Sequence, residues 1–410
     1  MKIVVDRQLL DGIQKVIAPN VTCIPLEEYA LENHRPFVDG FIIRSVTRID
    51  KETYPEWIDS PPSFVITATA GIDHIDTEWL TALGIHWRHC PGANAHAVAE
   101  YVIASVLWMS QGSFQGSLGI VGVGATGQAV ESLAKELGWD VVLYDPPRAR
   151  AAQDFGREMQ PAGPFRSSTM DDIMACDAVT FHVPRVIGSE DATMPLWSHE
   201  ELQNAKTFWI IQASRGGTID EDALYHWAKR GGQLACDVWH GEPSIRLDLL
   251  EAATLATPHI AGYSIQSRLN VFAQVTKHLE SLGVPVQVPK QANQAGEVSP
   301  VTLSDDVTSA KELIEAIHPW MARSAVFKAA MLEGHSHPLG QSQYDDQFHD
   351  GPFAENDGPF TEAKPHHREG LFKQWRTQTP LRTEFRRIYA SEPLHTTYPW
   401  LMKIGVQKAS

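Results

Sequence analysis

Short apolar runs recur through the first 92 residues, at Ile3–Val5, Phe41–Ile43, Phe64–Ile66 and Ile85–Trp87, each set off by polar or helix-forming stretches. Runs of this length predict buried strands, and their alternation with helical stretches predicts a small parallel α/β unit. The mostly apolar stretch Ala97–Trp108 predicts a long buried helix. A second series follows: an apolar run ending at Gly122, then Val130, Leu133, Ala134 and Leu137 at helical spacing, then Val141–Tyr144. Further runs at Ala178–Val183, Thr207–Ala213, Gln233–Trp239 and Thr254–Ala256, with helices near Asp171–Ala175 and Asp220–Lys229, extend this to a six- or seven-stranded doubly wound sheet. Beyond it, helices are expected over residues 271–282, Ser309–Leu332 and Leu371–Tyr389, with a linker at Pro285–Pro300 and an irregular insert between the last two helices.

The turn between the first strand and helix of the second series reads G-V-G-A-T-G. In such a turn Gly122 permits the tight bend, Gly124 lets backbone approach a pyrophosphate, and Gly127 lets helix pack on strand; the helix N-terminus offers free N–H groups to the anion. Asp145 follows Gly127 by 18 positions at the end of the next strand, near the ~20 expected for the carboxylate that holds an adenosine ribose diol. A 2′-phosphate would meet like charge there, so NAD is expected rather than NADP. The expected fold class is therefore α/β: a doubly wound parallel-sheet (Rossmann) NAD domain over 93–262, a second smaller α/β substrate domain over 1–92 with about 263–285, and a C-terminal domain over 286–410 with the irregular insert 334–370.

Composition narrows the class further. At 410 residues, with 43% hydrophobic and 20% charged residues, two or three soluble globular domains are expected. A formal charge of −16 argues against a nucleic-acid surface, and an anionic substrate would need a local cluster of donors working against that field. Cys23, Cys90, Cys176 and Cys236 are scattered without metal-ligand spacing, so buried thiols in a reducing compartment are expected. The start M-K-I-V-V-D reads as a strand rather than a leader, and no 18-residue apolar run occurs. The expectation is a cytoplasmic protein with no membrane, nucleic-acid or metal partner. His335-Ser336-His337 and His366-His367 in the insert read as surface loop.

Three ionisable residues follow successive strands: Arg215 in Q-A-S-R-G-G, Glu242 in D-V-W-H-G-E-P and His259 in T-P-H-I-A-G. Hydride chemistry on a 2-hydroxy acid asks for these types. A histidine takes the hydroxyl proton, a carboxylate beside it fixes the tautomer and stabilises the imidazolium, and an arginine offers a planar fork to the substrate carboxylate. Ser45 and Thr69 stand at the carboxyl ends of two strands of the first unit, where open α/β sheets bind ligands.

On these residues, and on I-I-R-S-V-T-R at 42–48, F-V-I-T-A-T-A-G-I-D-H-I-D at 64–76, P-G-A-N-A-H-A-V-A-E-Y-V at 91–102 and D-P-P-R-A at 145–149, the chain resembles the D-isomer-specific 2-hydroxyacid dehydrogenases up to about residue 265. The resemblance implies Arg215, Glu242 and His259 as the catalytic set and Asp145 on the NAD ribose. It places Asp237 and Gly262 near the nicotinamide, and Ser45, Thr69 and Tyr263 on a phosphorylated substrate, with Arg44 and Arg48 as further phosphate candidates. It also implies a homodimer through the C-terminal domain. Against the family pattern, Val183 stands for a threonine, Gln212 for an asparagine, and Ile265-Gln266-Ser267-Arg268-Leu269 for a basic run. Arg376, Arg382, Arg386 and Arg387 read as a solvated helix face, with a phosphate contact as the alternative. Two other functions stay open: a dehydrogenase or reductase of another small 2-hydroxy or 2-oxo acid, and an NAD(H)-sensing binding protein.

Overall fold

The structure is a computed structural model that describes residues 1–31, 36–154, 165–287, 301–334 and 368–409. Most of the 334–370 insert, with its histidines and its repeated D-G-P-F, and most of the Pro285–Pro300 linker lie outside the described residues. The chain divides into two compact units, Met1–Asn94 with Gln266–Glu297, and Ala95–Ile265 with Val298–Ser410.

The first unit holds a parallel sheet of β1 (Lys2–Val5), β2 (Thr22–Pro25), β3 (Gly40–Ile43), β4 (Phe64–Thr67) and β5 (His86–Arg88), in the order β2-β1-β3-β4-β5. Side chains alternate across a strand, and the sheet uses both faces. Ile3, Val5, Ile42 and Ile66 meet Leu9, Ile13, Val275 and Leu279 on one side. Val4, Phe41, Ile43 and Val65 meet Tyr29, Tyr54, Trp57 and Leu80 on the other. Strand β2 is the element the apolar pattern passed over: it lies at the edge and none of its residues is fully buried. The expected helix at 271–282 starts earlier and spans Ile265–Ser281.

The second unit holds a parallel sheet of β6 (Ser117–Val121), β7 (Asp140–Tyr144), β8 (Ala178–Phe181), β9 (Trp209–Gln212), β10 (Gln233–Cys236) and β11 (Leu255–Ala256), in the order β11-β10-β9-β8-β6-β7. The order reverses at β6, so the gap between β6 and β8 is the topological switch point, where such sheets bind ligands at their carboxyl edge. Helix Ala95–Met109 is buried nearly all round, as its composition predicts.

The C-terminal part differs from expectation in three ways. The Ser309–Leu332 stretch is two helices, Ala310–Ile317 and Trp320–Glu333, because Pro319 cannot continue the first. The Leu371–Tyr389 stretch is a helix only over Arg368–Thr377; Pro380 stands just beyond its end, and the chain goes on into a 3₁₀ turn and a strand. That strand, β13 (Ile388–Ala390), pairs with β12 (Val301–Thr302) and β14 (Gln407–Lys408) in a small parallel sheet. Nor does this part form a core of its own: Leu313, Phe327, Phe372 and Phe385 belong to the same hydrophobic cluster as Val102, Ile120 and Leu234. A buried ion pair adds to the join, with Arg382 donating to Glu100 and to the Ala97 carbonyl at 2.8 Å, while Glu100 accepts from Phe385 N–H at 2.9 Å. Among the described residues all four cysteines are free, three of them buried, and no helix is long and apolar enough to cross a membrane.

Candidate active site

Every site residue of the second unit lies at or just beyond the carboxyl edge of its sheet. After β6, Gly122 has φ +86°, and a Cβ there would lie 2.6 Å from the His182 carbonyl oxygen. A Cβ on Gly127 would lie 2.1 Å from the Gly122 oxygen, so helix Ala125–Leu137 can approach β6 only with glycine at that position. Gly124, the N-cap of that helix, has nothing within 4 Å of where its Cβ would be. A sterically open N-cap beneath free N–H groups suits a pyrophosphate.

Asp145 sits at the end of β7 with its carboxylate fixed, Oδ2 accepting from Val123 N–H at 2.8 Å and Oδ1 from Arg148 N–H at 2.9 Å. A carboxylate holding that place suits a ribose diol and repels a phosphate. The residues present therefore fit a dinucleotide. His182, at the end of β8, is pushed down to about 3 by burial and pairs with the Thr180 hydroxyl at 3.0 Å, so it stays neutral at neutral pH.

The Glu242 and His259 side chains meet directly. Glu242 Oε2 lies 2.7 Å from His259 Nδ1, and Oε1 accepts from Trp239 N–H at 2.8 Å. Burial pushes the Glu242 carboxyl up, but the His259 charge, the His259 hydrogen bond, the Trp239 N–H and the Arg376 charge together outweigh it and hold the group below its ordinary value. His259 is in the left-handed region at φ +59°, a conformation that costs about 1–3 kcal/mol and clusters at functional sites.

The loop that imposes this conformation is tied down by Asp237. Its Oδ1 accepts from the Thr257 hydroxyl at 2.6 Å and Ile260 N–H at 2.7 Å, and its Oδ2 from Ala261 N–H at 2.9 Å. Burial pushes the Asp237 carboxyl up against the His259 charge and these donors.

Arg215 follows β9 on a turn that abuts the Glu242 loop: a Cβ on Gly216 would lie 2.0 Å from the Trp239 carbonyl oxygen. Gln212 braces this turn, donating to the Arg215 carbonyl at 3.1 Å and accepting from the Ser214 hydroxyl at 3.0 Å. The glutamine that departs from the family pattern thus holds the arginine's backbone. Val183 packs against Gly122, its Cγ1 being 2.9 Å from where a Cβ would be.

Ser45 and Thr69 belong to the first unit. Ser45 is exposed beyond β3, and the Thr69 hydroxyl pairs with Thr67 Oγ1 at 2.7 Å and donates to the Gly71 carbonyl at 2.8 Å. Arg44 and Arg48, the further phosphate candidates, are each paired with a carboxylate, Asp6 at 2.8 Å and Asp50 respectively.

Tyr263 lies in the second unit beside Arg376, which faces Glu242 at 4.0 Å. Neither Arg376 nor the buried Arg382 lies on a solvated face, while Arg386 and Arg387 are exposed as expected. The sequence signal for Arg382 was Glu100, a charge in a helix otherwise apolar enough to be buried. The cluster His96, Glu100 and Glu384 brings together three side chains of metal-ligand type, but the Arg382 guanidinium already supplies countercharge to Glu100 there.

A sequence profile described as "D-isomer specific 2-hydroxyacid dehydrogenase, NAD binding domain" matches residues 83–261. The chain is similar to proteins named erythronate-4-phosphate dehydrogenase. The one from Escherichia coli O157:H7 (strain EC4115 / EHEC) is 35% identical over 289 residues, covering 67% of this chain and 71% of the relative. The one from Pseudomonas syringae pv. syringae (strain B728a) is 35% identical over 249 residues, covering 59% of this chain and 62% of the relative, so this match spans less than two thirds of that protein. Among solved structures, a D-lactate dehydrogenase from Aquifex aeolicus complexed with NAD and lactic acid superposes with TM-score 0.54 at 19% identity, covering 69% of this chain and 95% of that one. The TT0316 protein from Thermus thermophilus does so with TM-score 0.53 at 22% identity, covering 70% of this chain and 100% of that one. At these identities the structures speak for the fold.

Proposed function

The chain belongs to the D-isomer-specific 2-hydroxyacid dehydrogenase family, and from that premise we propose that it oxidises 4-phospho-D-erythronate to 3-hydroxy-2-oxo-4-phosphobutanoate with NAD, in the biosynthesis of pyridoxal 5′-phosphate. The observation that carries the reading is the Glu242–His259 contact at 2.7 Å, held in a strained loop at the same sheet edge as the glycine cradle. The names of the relatives at 35% identity supply the substrate.

Glu242 accepts from Nδ1–H of His259, which leaves Nε2 to take the hydroxyl proton. Arg215 grips the substrate carboxylate and polarises the forming carbonyl. Gly122, Gly124, Gly127, Asp145, Asp237 and Gly262 would hold NAD, which would supply the hydride acceptor. Ser45, Thr69 and Tyr263 contact the phosphorylated end. A cytoplasmic location and a homodimer through the C-terminal residues complete the proposal; sedimentation at twice 45.5 kDa is the expected mass.

The decisive experiment is NADH formation by the purified chain with erythronate 4-phosphate, glycerate, lactate and 3-phosphoglycerate. Turnover dominated by erythronate 4-phosphate is expected. A preference for another acid overturns the substrate, and NADH binding without turnover of any hydroxy acid overturns the enzyme.

A further inference from the structure

The Glu242–His259 pair has a third neighbour, contributed from far along the chain. Helix Arg368–Thr377 buries Leu371, Phe372 and Trp375, and Trp375 and Phe372 lie against the ring of Phe327 in helix Trp320–Glu333. Arg376 then faces the catalytic loop, its Nη1 4.0 Å from Glu242 Oε2. Seven positions earlier, two turns back on the same face, Glu369 accepts from the Ser244 hydroxyl two residues beyond Glu242. The helix therefore grips the loop at two points. Arg376 is also hydrogen-bonded to Tyr263, and its buried Nε has no partner among the described residues. Glu242 and Arg376 keep 18% and 25% of their side-chain surface, so water screens the pair weakly.

Resting on the dehydrogenase reading above, we propose that Arg376 is a positioning residue that keeps the Glu242 carboxylate ionised and turned toward His259 Nδ1, so that Nε2 is the nitrogen presented to the substrate.

The physical argument concerns which charges persist. A buried carboxylate beside a neutral imidazole is costly, and an opposite charge within ~4–6 Å favours its ionised form. The groups that face Glu242 are His259, the Trp239 N–H from its own loop, Cys236 at the end of β10, and Arg376, which in turn faces Tyr263 and Asp237. Of the two cations, His259 gains and loses its charge in every turnover, while Arg376 keeps its own. When His259 is neutral and ready to accept a proton, Arg376 still balances Glu242.

The test uses full-length Arg376→Met, Arg376→Gln and Arg376→Lys, each checked for wild-type unfolding. Removing the cation favours the protonated forms of the coupled pair. The acid limb of kcat/KM for hydroxy-acid oxidation should therefore move up by about 1 pH unit in the Met and Gln variants, with kcat falling more than KM rises. Lys should restore the limb.

A second readout needs no substrate: the NMR titration of the His259 ring, assigned through His259→Gln, should shift upward in the same two variants. Should Met fail to fold, the Gln and Lys pair carries the comparison. An unmoved limb and an unmoved ring titration, with only KM raised, overturn the proposal and make Arg376 a substrate contact. If the wild type does not oxidise erythronate 4-phosphate, the functional reading falls while the ring titration still decides Arg376.

Discussion

His259 shows how much a single position has to satisfy. It needs a left-handed backbone, a carboxylate partner and a free Nε2 at once, and the loop is held in place by Asp237. His259→Gln should cut kcat by about 10²–10⁴ while NADH titration by fluorescence stays within a few-fold of wild type.

A different residue contributes to the behaviour in acid. The Asp50 carboxyl is held at about 2, first by its hydrogen bond from Arg48, against the cost of burial, and then by Thr53. A carboxyl lowered in the folded state contributes stability above its ordinary value, and that contribution disappears as pH falls through the folded value. Asp50→Asn should thus be less stable than wild type at pH 6, with the difference closing between about pH 4 and 2 in urea titrations.

At this scale the sequence was informative where chemistry leaves a local mark: glycines before a helix, an acid after a strand, Glu242 and His259 in successive loops. Arg376 left no such mark, because the spacing of charges on a helix does not say which loop more than a hundred residues away will cover it.

Elements were legible to the extent that burial forced their composition. Ten of the strands overlap apolar runs of the pattern; β2, whose stretch Thr22–Pro25 begins on a polar residue and ends on a proline, and the short strands β12, β13 and β14 do not. The long C-terminal helices were over-read because helical spacing continued past Pro319 and Pro380, where backbone chemistry stops it. Two predictions belong here. Gly124 opens onto free space at a helix N-cap, so Gly124→Asp should leave the melting temperature nearly unchanged yet weaken NAD binding at least ~100-fold in calorimetric titration, since a carboxylate would occupy the anion's place. Arg382 and Glu100 are both buried, tying the segment after residue 380 to helix Ala95–Met109. Arg382→Met should cost about 3–5 kcal/mol in denaturant unfolding because it strands a buried carboxylate, and Glu100→Met in the same chain should recover much of that loss.

The whole molecule is two units rather than three, and the reason is the shared core. Phe327, Phe372 and Phe385 cover surface that the six-stranded sheet and its helices would otherwise expose. A chain ending at residue 297 should therefore lose its cooperative thermal transition and aggregate, where the full chain melts sharply. Composition could not reveal this, since residues beyond the linker carry enough apolar positions to suggest a core of their own.

The solved structures that match over nearly all of their own length reach only about seven tenths of this chain. Here, however, the tail holds both working loops, through Ser244 and Glu242 on one side and Ser264 and Ile265 on the other. An engineer who transplants those loops from a shorter cousin would import parts cut for a different frame, with Arg376 and Glu384 left reaching for partners that never arrived. Specificity in this chain has to be redesigned with its tail, as one inheritance.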